Sequence, residues 1–496
     1  MRNLLARRPN TIFALLLAYF ILAIIIRVAR PGALSADDEE QAFLSQFLLL
    51  GYGKQPPLYN WLQYGLAEII GLSVFSITFL KNALLCAFCF LYGIAARVVI
   101  RNENLAYIAM VGVLALPAVF LLSQRDLSHT VVALVAVALL LFAFFRILKE
   151  PDLTGYMLAG LAIGLGILSK YNFVIVPAAA LIAMLPDPAF RRRLFDIRVL
   201  VAFLVAAIIL APHCYWLLAH HDQVTGSTLA EMKEGAEKAH MPLFILGVLS
   251  LAQATLFASA PPAAAFALIF RKDVMAIAKA GDRWTAVVGR MFVICILFVL
   301  VIMIGTGATH MREKWLIFFT ALLPIYFALK VQAAGIDVKS RLAEMTALAA
   351  VLCIGALIAV HGGVIARHLM GRDSRHTVPY DKLATKLKQE GPLPTLFVAS
   401  EMTLAGNMKL QLPSALFLYP GMPVPTPELS GEQKARVLLL WNNPAPPEPP
   451  SEVKDFAKQL TGSDNLTEVT QFDVPTGRGT RSNFNSFAYA HLGSAR

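Results

Sequence analysis

Residues 11–29 read TIFALLLAYFILAIIIRVA, an apolar run whose one charged side chain, Arg27, stands near its end. About 20 consecutive apolar residues is the length that an α-helix needs to cross the hydrocarbon core of a bilayer. Runs of this kind recur as far as residue 366, and the chain is 57% hydrophobic and only 15% charged, too little charge for a soluble surface. The sequence therefore predicts a polytopic helical membrane domain over 1–366 and a small soluble domain over 367–496.

The apolar runs predict about eleven membrane crossings. They lie near residues 11–29, 74–96, 104–122, 130–147, 156–169, 171–186, 198–217, 242–270, 289–306, 315–330 and 343–366. The segment 156–186 is long for one crossing, and basic clusters flank both of its ends, so we divide it into two crossings that turn at Lys170. With a cytoplasmic N-terminus, an odd number of crossings places the first loop, 30–73, and the C-terminal domain outside the cell inner membrane, in the periplasm of a Gram-negative bacterium.

The net charge of +11 comes from short basic clusters between the apolar runs, which orientation in the bilayer explains without a nucleic-acid partner. A minority of cations falls instead in predicted outward loops: Lys54, Arg125, Lys170, Arg312 and Lys314. Snorkelling explains any one of them. Five together, beside acidic and aromatic residues, indicate an outward-facing site for an anion.

The first predicted outward loop is the most informative stretch. It carries four consecutive acids directly before an amphipathic helical pattern: Asp37, Asp38, Glu39 and Glu40. Because the helix dipole stabilises carboxylates at a helix N-terminus, spacing alone leaves capping and catalysis equally open. The loop continues as GYGKQPPLYNWL over 51–62, where the two prolines open a second amphipathic stretch and Tyr59 and Trp61 suit the level of the lipid headgroups.

This order of residues resembles the first periplasmic loop of GT-C glycosyltransferases of the protein O-mannosyltransferase-like superfamily. That superfamily includes bacterial transferases that add aminoarabinose or galacturonic acid to lipid A and lipopolysaccharide core from polyprenyl phosphate donors. Further similar stretches follow in the family's order: QRDLSH at 124–129, GLGILSKY at 164–171, APH at 211–213 with Trp216, and REKW at 312–315. The resemblance implies a GT-C fold and inversion at the transferred sugar.

Carried over by position, Asp38 resembles the family's catalytic aspartate, with Glu39 beside it, and Asp126 resembles its second acidic residue. Asp37 is the alternative candidate, because the two consecutive aspartates and two consecutive glutamates leave the alignment with the family uncertain by one residue. The chain departs from the aminoarabinose enzymes at Gln55, where they have a lysine directly before the proline; here Lys54 stands one position earlier.

The chemistry asks for residues of these types. A base must deprotonate the acceptor hydroxyl, and cations must stabilise the departing lipid phosphate. We assign Asp38 as the base and Lys170, assisted by Arg312 and Lys314, to the phosphate. Without the resemblance, Lys170 is a snorkelling turn lysine, and Asp126 is an N-cap, a role that Ser128 fills equally well.

The remaining residues that we place at the donor and acceptor site are Lys54, Gln55, Tyr59, Arg125, His129 and Tyr171. The candidate acids and cations, Asp38, Asp126, Lys170 and the loop of Arg312 and Lys314, are expected to line one outward cavity.

No metal or other cofactor is assigned from the sequence. The predicted outward segment from His220 to His240 has histidines and acids that could chelate a divalent cation, but a solvated amphipathic helix explains them better.

The main alternative to a transferase is a lipid transporter or flippase, which predicts internal repeats and broken helices near the bilayer midplane. The sequence has no repeat, and its polar residues gather at the outer face. A structural anchor for the C-terminal domain is a third possibility, which leaves Asp38, Asp126 and Lys170 without a shared task. We therefore expect a transferase that moves a sugar from polyprenyl phosphate to a lipid A or lipopolysaccharide core, glycolipid or protein acceptor.

The C-terminal domain is predicted to be α/β. Helical patterns lie near 380–389 and 453–460, and strand-like runs lie at 395–399, 415–419 and 436–441. It carries no nucleophile elbow, Walker loop or zinc pattern, which leaves acceptor docking and scaffolding both open.

Overall fold

The computed structural model describes residues 10–233, 242–370, 374–442, 448–475 and 484–492. Their contacts form two compact units. The first unit comprises the described parts of Met1–Leu22, Leu50–Tyr59 and Lys81–Ala356. The second unit comprises the described parts of Ala23–Leu49, Asn60–Leu80 and Leu357–Arg496.

Within the described residues, eight helices are long and apolar enough to cross a membrane. They are Thr11–Ala29, Val74–Val99, Ser128–Lys149, Val199–His220, Leu243–Ile269, Arg283–Thr306, Glu313–Ala333 and Arg341–Leu369. A helix satisfies its backbone hydrogen bonds internally, which is why apolar sequence takes this form where water is absent. The predicted class, a mostly helical protein with many apolar helices and a small C-terminal sheet, is confirmed.

A ninth candidate span is bent, because the helices Glu103–Ala115 and Ala118–Arg125 are inclined by 62°. Pro117 causes the break, since the residue before a proline is driven out of the helical region, and Leu116 is extended. The predicted crossing over 104–122 is therefore not straight.

Two shorter apolar helices, Leu153–Ser169 and Tyr171–Met184, follow. They lie where two crossings are predicted, and Lys170 stands between them in extended conformation. Both helices are shorter than the length that spans a bilayer without tilt or thinning. The total of eleven crossings stays a prediction, as does the boundary between a membrane domain ending at residue 366 and a soluble domain.

The first unit has a large apolar core that encloses the hydrogen-bonded hydroxyl of Tyr92. Tyr92 is fully buried; its hydroxyl donates to the Ala321 carbonyl at 2.6 Å and accepts from the Ile325 amide at 3.0 Å. Leu200 and Phe203, by contrast, are largely exposed on an apolar helix, as lipid-facing side chains are.

The long helix Val199–Met232 departs from helical geometry at His220. Glu234, Glu237 and His240, which were considered for a divalent cation, lie outside the described residues. Among the residues that the structure does describe, no three His, Cys, Asp or Glu side chains are grouped so as to hold a metal ion.

The second unit contains a mixed five-stranded sheet. Its strands are β1 (Leu396–Ala399), β2 (Leu416–Leu418), β3 (Val437–Asn442), β4 (Thr470–Pro475) and β5 (Phe484–Leu492), in the order β2-β1-β3-β5-β4. The first three strands are parallel, with Leu396 paired to both Leu416 and Val437, and β5 is antiparallel to β3 and β4. Every residue of β1 is buried, as expected for a central parallel strand covered on both faces.

The remaining described helices are shorter. In chain order they are Ala36–Leu44, Leu58–Ile70, Pro188–Arg191, Val274–Lys279, Tyr380–Gln389, Met402–Gln411, Gly431–Ala435 and Ser451–Thr461. Of these, Met402–Gln411 has no counterpart in the sequence-based expectation, and it matters most for the candidate site.

Candidate active site

The acidic helix, Ala36–Leu44, carries the predicted base. Asp37, Asp38 and Glu39 occupy its first turn, where the helix dipole stabilises negative charge. Asp38 is 5% exposed, whereas Asp37 is only partly buried. The preferred base is therefore the more enclosed of the two rival aspartates.

Two arginines that received no role from the sequence lie beside Asp38. Arg27 and Arg30 stand at and just beyond the end of the first apolar helix and are 5% and 7% exposed. Arg27 Nη2 lies 3.9 Å from Asp38 Oδ2. Burial, followed by the positive charge of Arg27, lowers the pKa of Arg30 to about 10, so that its guanidinium stays protonated at neutral pH. The sequence contains a signal for both arginines. They stand at the predicted outward end of the first helix, where the positive-inside bias disfavours basic residues.

Glu39 is held by side chains that are distant in sequence. The Arg375 guanidinium and the Thr403 hydroxyl, at 2.9 Å, donate to Oε1, and Asn407 Nδ2 donates to Oε2 at 3.4 Å. Asn407 is itself fixed, because its Oδ1 accepts from the Leu34 amide at 2.9 Å. Burial raises the pKa of Glu39, and the three hydrogen bonds oppose that rise. This fully buried carboxylate is thus bound on both oxygens by the C-terminal part of the chain.

A glycine permits this arrangement. A β-carbon on Gly406 would lie 2.1 Å from the backbone oxygen of Glu39, far inside van der Waals contact. The helix Met402–Gln411 can therefore lie against the acidic helix only because residue 406 has no side chain.

In the first unit, two predicted site residues meet the start of the helix Ser128–Lys149. Lys170 Nζ donates to Thr130 Oγ1 at 3.2 Å. Arg125 Nε donates to Asp126 Oδ2 at 2.6 Å. Between Asp126 and this helix stands Leu127, whose φ of 72° is the only positive value at a non-glycine among the described residues. Such strain persists where the surrounding structure enforces it, and it is common at functional sites.

His213 joins two further stretches of the resemblance. Its Nδ1 lies 2.7 Å from the Leu50 carbonyl oxygen, and its Nε2 lies 3.0 Å from the Tyr171 hydroxyl. Since a carbonyl oxygen only accepts, Nδ1 carries the proton, and in the neutral ring Nε2 accepts from Tyr171. The loop before Gly51, the turn at Lys170 and the helix of His213 are thereby brought together within the first unit.

A row of stacked rings packs at this junction, the place where the loop before Gly51, the turn at Lys170 and the helix of His213 meet. Tyr171, His213, Trp216 and His220 follow one another with ring centroids 5.9, 5.6 and 4.5 Å apart and nearly parallel planes. A β-carbon on Gly51 would lie 2.3 Å from the Trp216 indole, so the loop lies directly against this row.

The loop residues of the candidate site differ in exposure. Lys54 is exposed, Gln55 is partly buried and Tyr59 is fully buried. The Tyr59 ring centroid lies 5.7 Å from that of His129. The ring of Tyr59 is therefore enclosed by the protein and does not contact lipid headgroups, contrary to the prediction from the sequence.

Arg312 and Lys314 are both partly buried and stand at the start of the short helix Glu313–Leu316. The Met311 amide donates to Ser250 Oγ at 2.8 Å, which ties this loop to the helix Leu243–Ile269. The expectation that these cations share one cavity with Asp38, Asp126 and Lys170 stays a prediction.

The whole architecture has a solved counterpart. ArnT from Cupriavidus metallidurans, determined with bound undecaprenyl phosphate, superposes with a TM-score of 0.60 over 96% of this chain and 97% of ArnT, at 12% sequence identity. At that identity the likeness concerns the fold, which is that of GT-C glycosyltransferases.

Residues 54–216 match the family model of dolichyl-phosphate-mannose-protein mannosyltransferases. The chain is 38% identical to the lipopolysaccharide core galacturonosyltransferase RgtA of Rhizobium johnstonii, over 98% of this chain and 97% of RgtA. It is 36% identical to RgtB of the same organism, also a lipopolysaccharide core galacturonosyltransferase, over 98% of both chains. The chain therefore belongs to the family of these galacturonosyltransferases.

The resemblance stated from the sequence and the predicted enzyme class are thus confirmed. The protein is a multi-pass membrane glycosyltransferase, and the transporter alternative is disfavoured.

Proposed function

We propose that this enzyme transfers galacturonic acid from a polyprenyl phosphate donor to a sugar of the lipopolysaccharide core. The observation that carries the proposal is identity of 38% and 36% to two lipopolysaccharide core galacturonosyltransferases over almost the whole chain. A donor on polyprenyl phosphate agrees with the undecaprenyl phosphate held by ArnT, which has the same fold. Mass spectrometry of core oligosaccharides from a deletion strain tests it: galacturonic acid should disappear and return on complementation, and an unchanged core would contradict it.

The reaction is a single displacement at the anomeric carbon. Asp38 accepts the proton of the acceptor hydroxyl, whose oxygen bonds to the anomeric carbon while the bond from that carbon to the phosphate oxygen breaks. The electron pair of that bond leaves with polyprenyl phosphate, and the sugar inverts. A buried carboxylate is a suitable base, because it is poorly solvated.

Cations are required where the phosphate gains charge. We assign that task to Lys170, Arg312 and Lys314, with Lys54 and Gln55 at the donor headgroup. Arg125 and Asp126, as an ion pair, and the junction of Tyr171 with His213 would orient the substrates, and Tyr59 and His129 would support the loop that carries Lys54. No step in this scheme uses a metal ion.

Lys170→Ala should weaken donor binding as well as turnover, because a cation at the lipid phosphate acts before and during bond cleavage. Loss of one charged hydrogen bond predicts a roughly 10- to 100-fold fall in kcat/KM with a raised donor KM. Steady-state kinetics with purified enzyme and a defined donor measure both. Lys339→Ala, an exposed lysine on the predicted cytoplasmic side, is the matched control. An unchanged donor KM for Lys170→Ala would remove this lysine from the phosphate site.

The enzyme is expected in the inner membrane with its N-terminus in the cytoplasm and its C-terminal domain in the periplasm. A phosphatase fused after residue 400 should therefore lie in the periplasm and be active. A fluorescent protein fused at the same point should not fluoresce. Fusions after Lys279, on the predicted cytoplasmic side, should give an inactive phosphatase and a fluorescent reporter. Fluorescence at residue 400 would contradict the odd number of crossings.

A further inference from the structure

The second unit contains buried positive charge that the proposed mechanism does not use. Arg27 and Arg30 are both more than nine-tenths buried, and the negative charge of Asp38 acts on both of them. Glu39 is engaged by Arg375, so it adds no spare negative charge. His376 does not add positive charge, because burial and the charges of Arg30 and Arg375 lower its pKa. Among the described residues Arg27, Arg30, Arg375, Asp38 and Glu39, the positive charges outnumber the negative charges by one.

The guanidinium groups are also incompletely hydrogen-bonded. Nη1 and Nη2 of Arg27 and Nε of Arg30 are buried and donate to no described residue. Arg27 lies 3.9 Å from Asp38, beyond hydrogen-bonding distance. Buried charged donors without acceptors are strongly unfavourable, so an anion beside this pair would be stabilising.

A cavity large enough for a sugar is lined by a residue to which Arg30 is hydrogen-bonded. Arg30 Nη2 donates to the Ala33 carbonyl at 3.2 Å, and Ala33 lines a cavity of about 400 Å³. Thr377, Tyr380 and Asn407 also line it and supply hydroxyl and amide groups. Cavities of this size hold small ligands, and such groups hydrogen-bond sugar hydroxyls.

The chemistry decides which anion fits. In an inverting displacement the base acts on the nucleophile's side of the anomeric carbon, and the phosphate departs on the opposite side. An anion site beside the proposed base is therefore in the wrong place for the leaving phosphate. The uronic acid itself carries a second anion, the carboxylate on the sugar ring, which is planar and matches the guanidinium fork.

We propose that Arg27 and Arg30 bind the carboxylate of the transferred uronic acid, and so select uronic acid donors over neutral hexose donors. This inference rests on the proposed galacturonosyl transfer. Arg30 is the better residue to test, because Arg27 also borders the base.

The test compares two donors that differ only in the carboxylate, galacturonosyl and galactosyl polyprenyl phosphate, with purified full-length Arg30→Gln and wild-type enzyme. We expect kcat/KM for the galacturonosyl donor to fall roughly 10- to 100-fold, mainly through KM, and at least tenfold more than for the galactosyl donor. If the wild type does not use the galactosyl donor, the rise in KM for the galacturonosyl donor is the supporting result. Arg436→Gln, an exposed arginine of the same unit, controls for loss of charge and should match the wild type.

Other outcomes are informative in distinct ways. An equal loss with both donors, accompanied by a raised KM for the core acceptor, would overturn the proposal and assign the pair to an anionic group of the acceptor. An unchanged galacturonosyl KM in Arg30→Gln would overturn it outright. A wild-type enzyme that transfers neither sugar would instead refute the proposed function.

Discussion

Asp38→Asn should abolish transfer while leaving expression and donor binding largely intact. Asparagine keeps the shape of the side chain but cannot take the proton of the acceptor hydroxyl. Loss of a general base lowers rates by about 10²–10⁴. Single-turnover transfer to isolated core oligosaccharide, with donor binding measured separately, checks both parts of this expectation.

Asp37→Asn is the matched control, one residue away in the same helical turn. Its carboxylate is only partly buried, and it should contribute only to the local field, so its loss should cost much less. If Asp37→Asn is the inactive variant, the mechanism stands, but the base is Asp37 and the alignment with the family is shifted by one residue. Near-wild-type transfer by both variants would exclude the acidic helix as the catalytic centre.

Gly406→Ala should inactivate the enzyme by moving the acidic helix. The new β-carbon would lie 2.1 Å from the Glu39 backbone oxygen, so one of the two helices must shift by about 1 Å. A misplacement of about 1 Å at a reacting group can lower the rate about 10²-fold. Transfer should fall by that order, with a loss of about 1–3 kcal/mol in the free energy of unfolding from overpacking.

Gly431→Ala is the control for this variant, because a β-carbon there meets nothing within 4 Å. Glu39→Gln and Glu39→Ala then separate anchoring from acid–base chemistry. Glutamine can still accept from Thr403, so if Glu39 positions the helix, Glu39→Gln should retain much more activity than Glu39→Ala. Equal inactivity of the two would instead give Glu39 a direct part in proton transfer, and full activity of Gly406→Ala would disprove the close-packing requirement.

The sequence predicts the architecture well because membrane spans and short apolar strands depend on local patterns. The turn at Lys170 and the runs that became β1, β2 and β3 are of this kind. The bend at Pro117 could also be anticipated from the conformational limits on a residue before proline.

The candidate site was less accessible to sequence reasoning, because its contacts join residues far apart in the chain. The sequence around Glu39 gives no indication that Thr403 and Asn407 donate hydrogen bonds to its carboxylate. The link from His213 to Leu50 and Tyr171 depends equally on the fold. Arg27 and Arg30 could have been found, since basic residues at the predicted outward end of a helix need a partner there.

The contacts of Glu39 also bear on how the enzyme matures during synthesis. The acidic helix leaves the ribosome 364 residues ahead of Thr403 and 368 ahead of Asn407. Until Arg375, Thr403 and Asn407 have been made and have packed against the acidic helix, Glu39 lacks its native hydrogen-bond partners, and burying its charge alone is unfavourable. Insertion of the helices and completion of the proposed catalytic centre are therefore expected to be separate events, and we expect a nascent chain whose helices are all inserted to be still inactive.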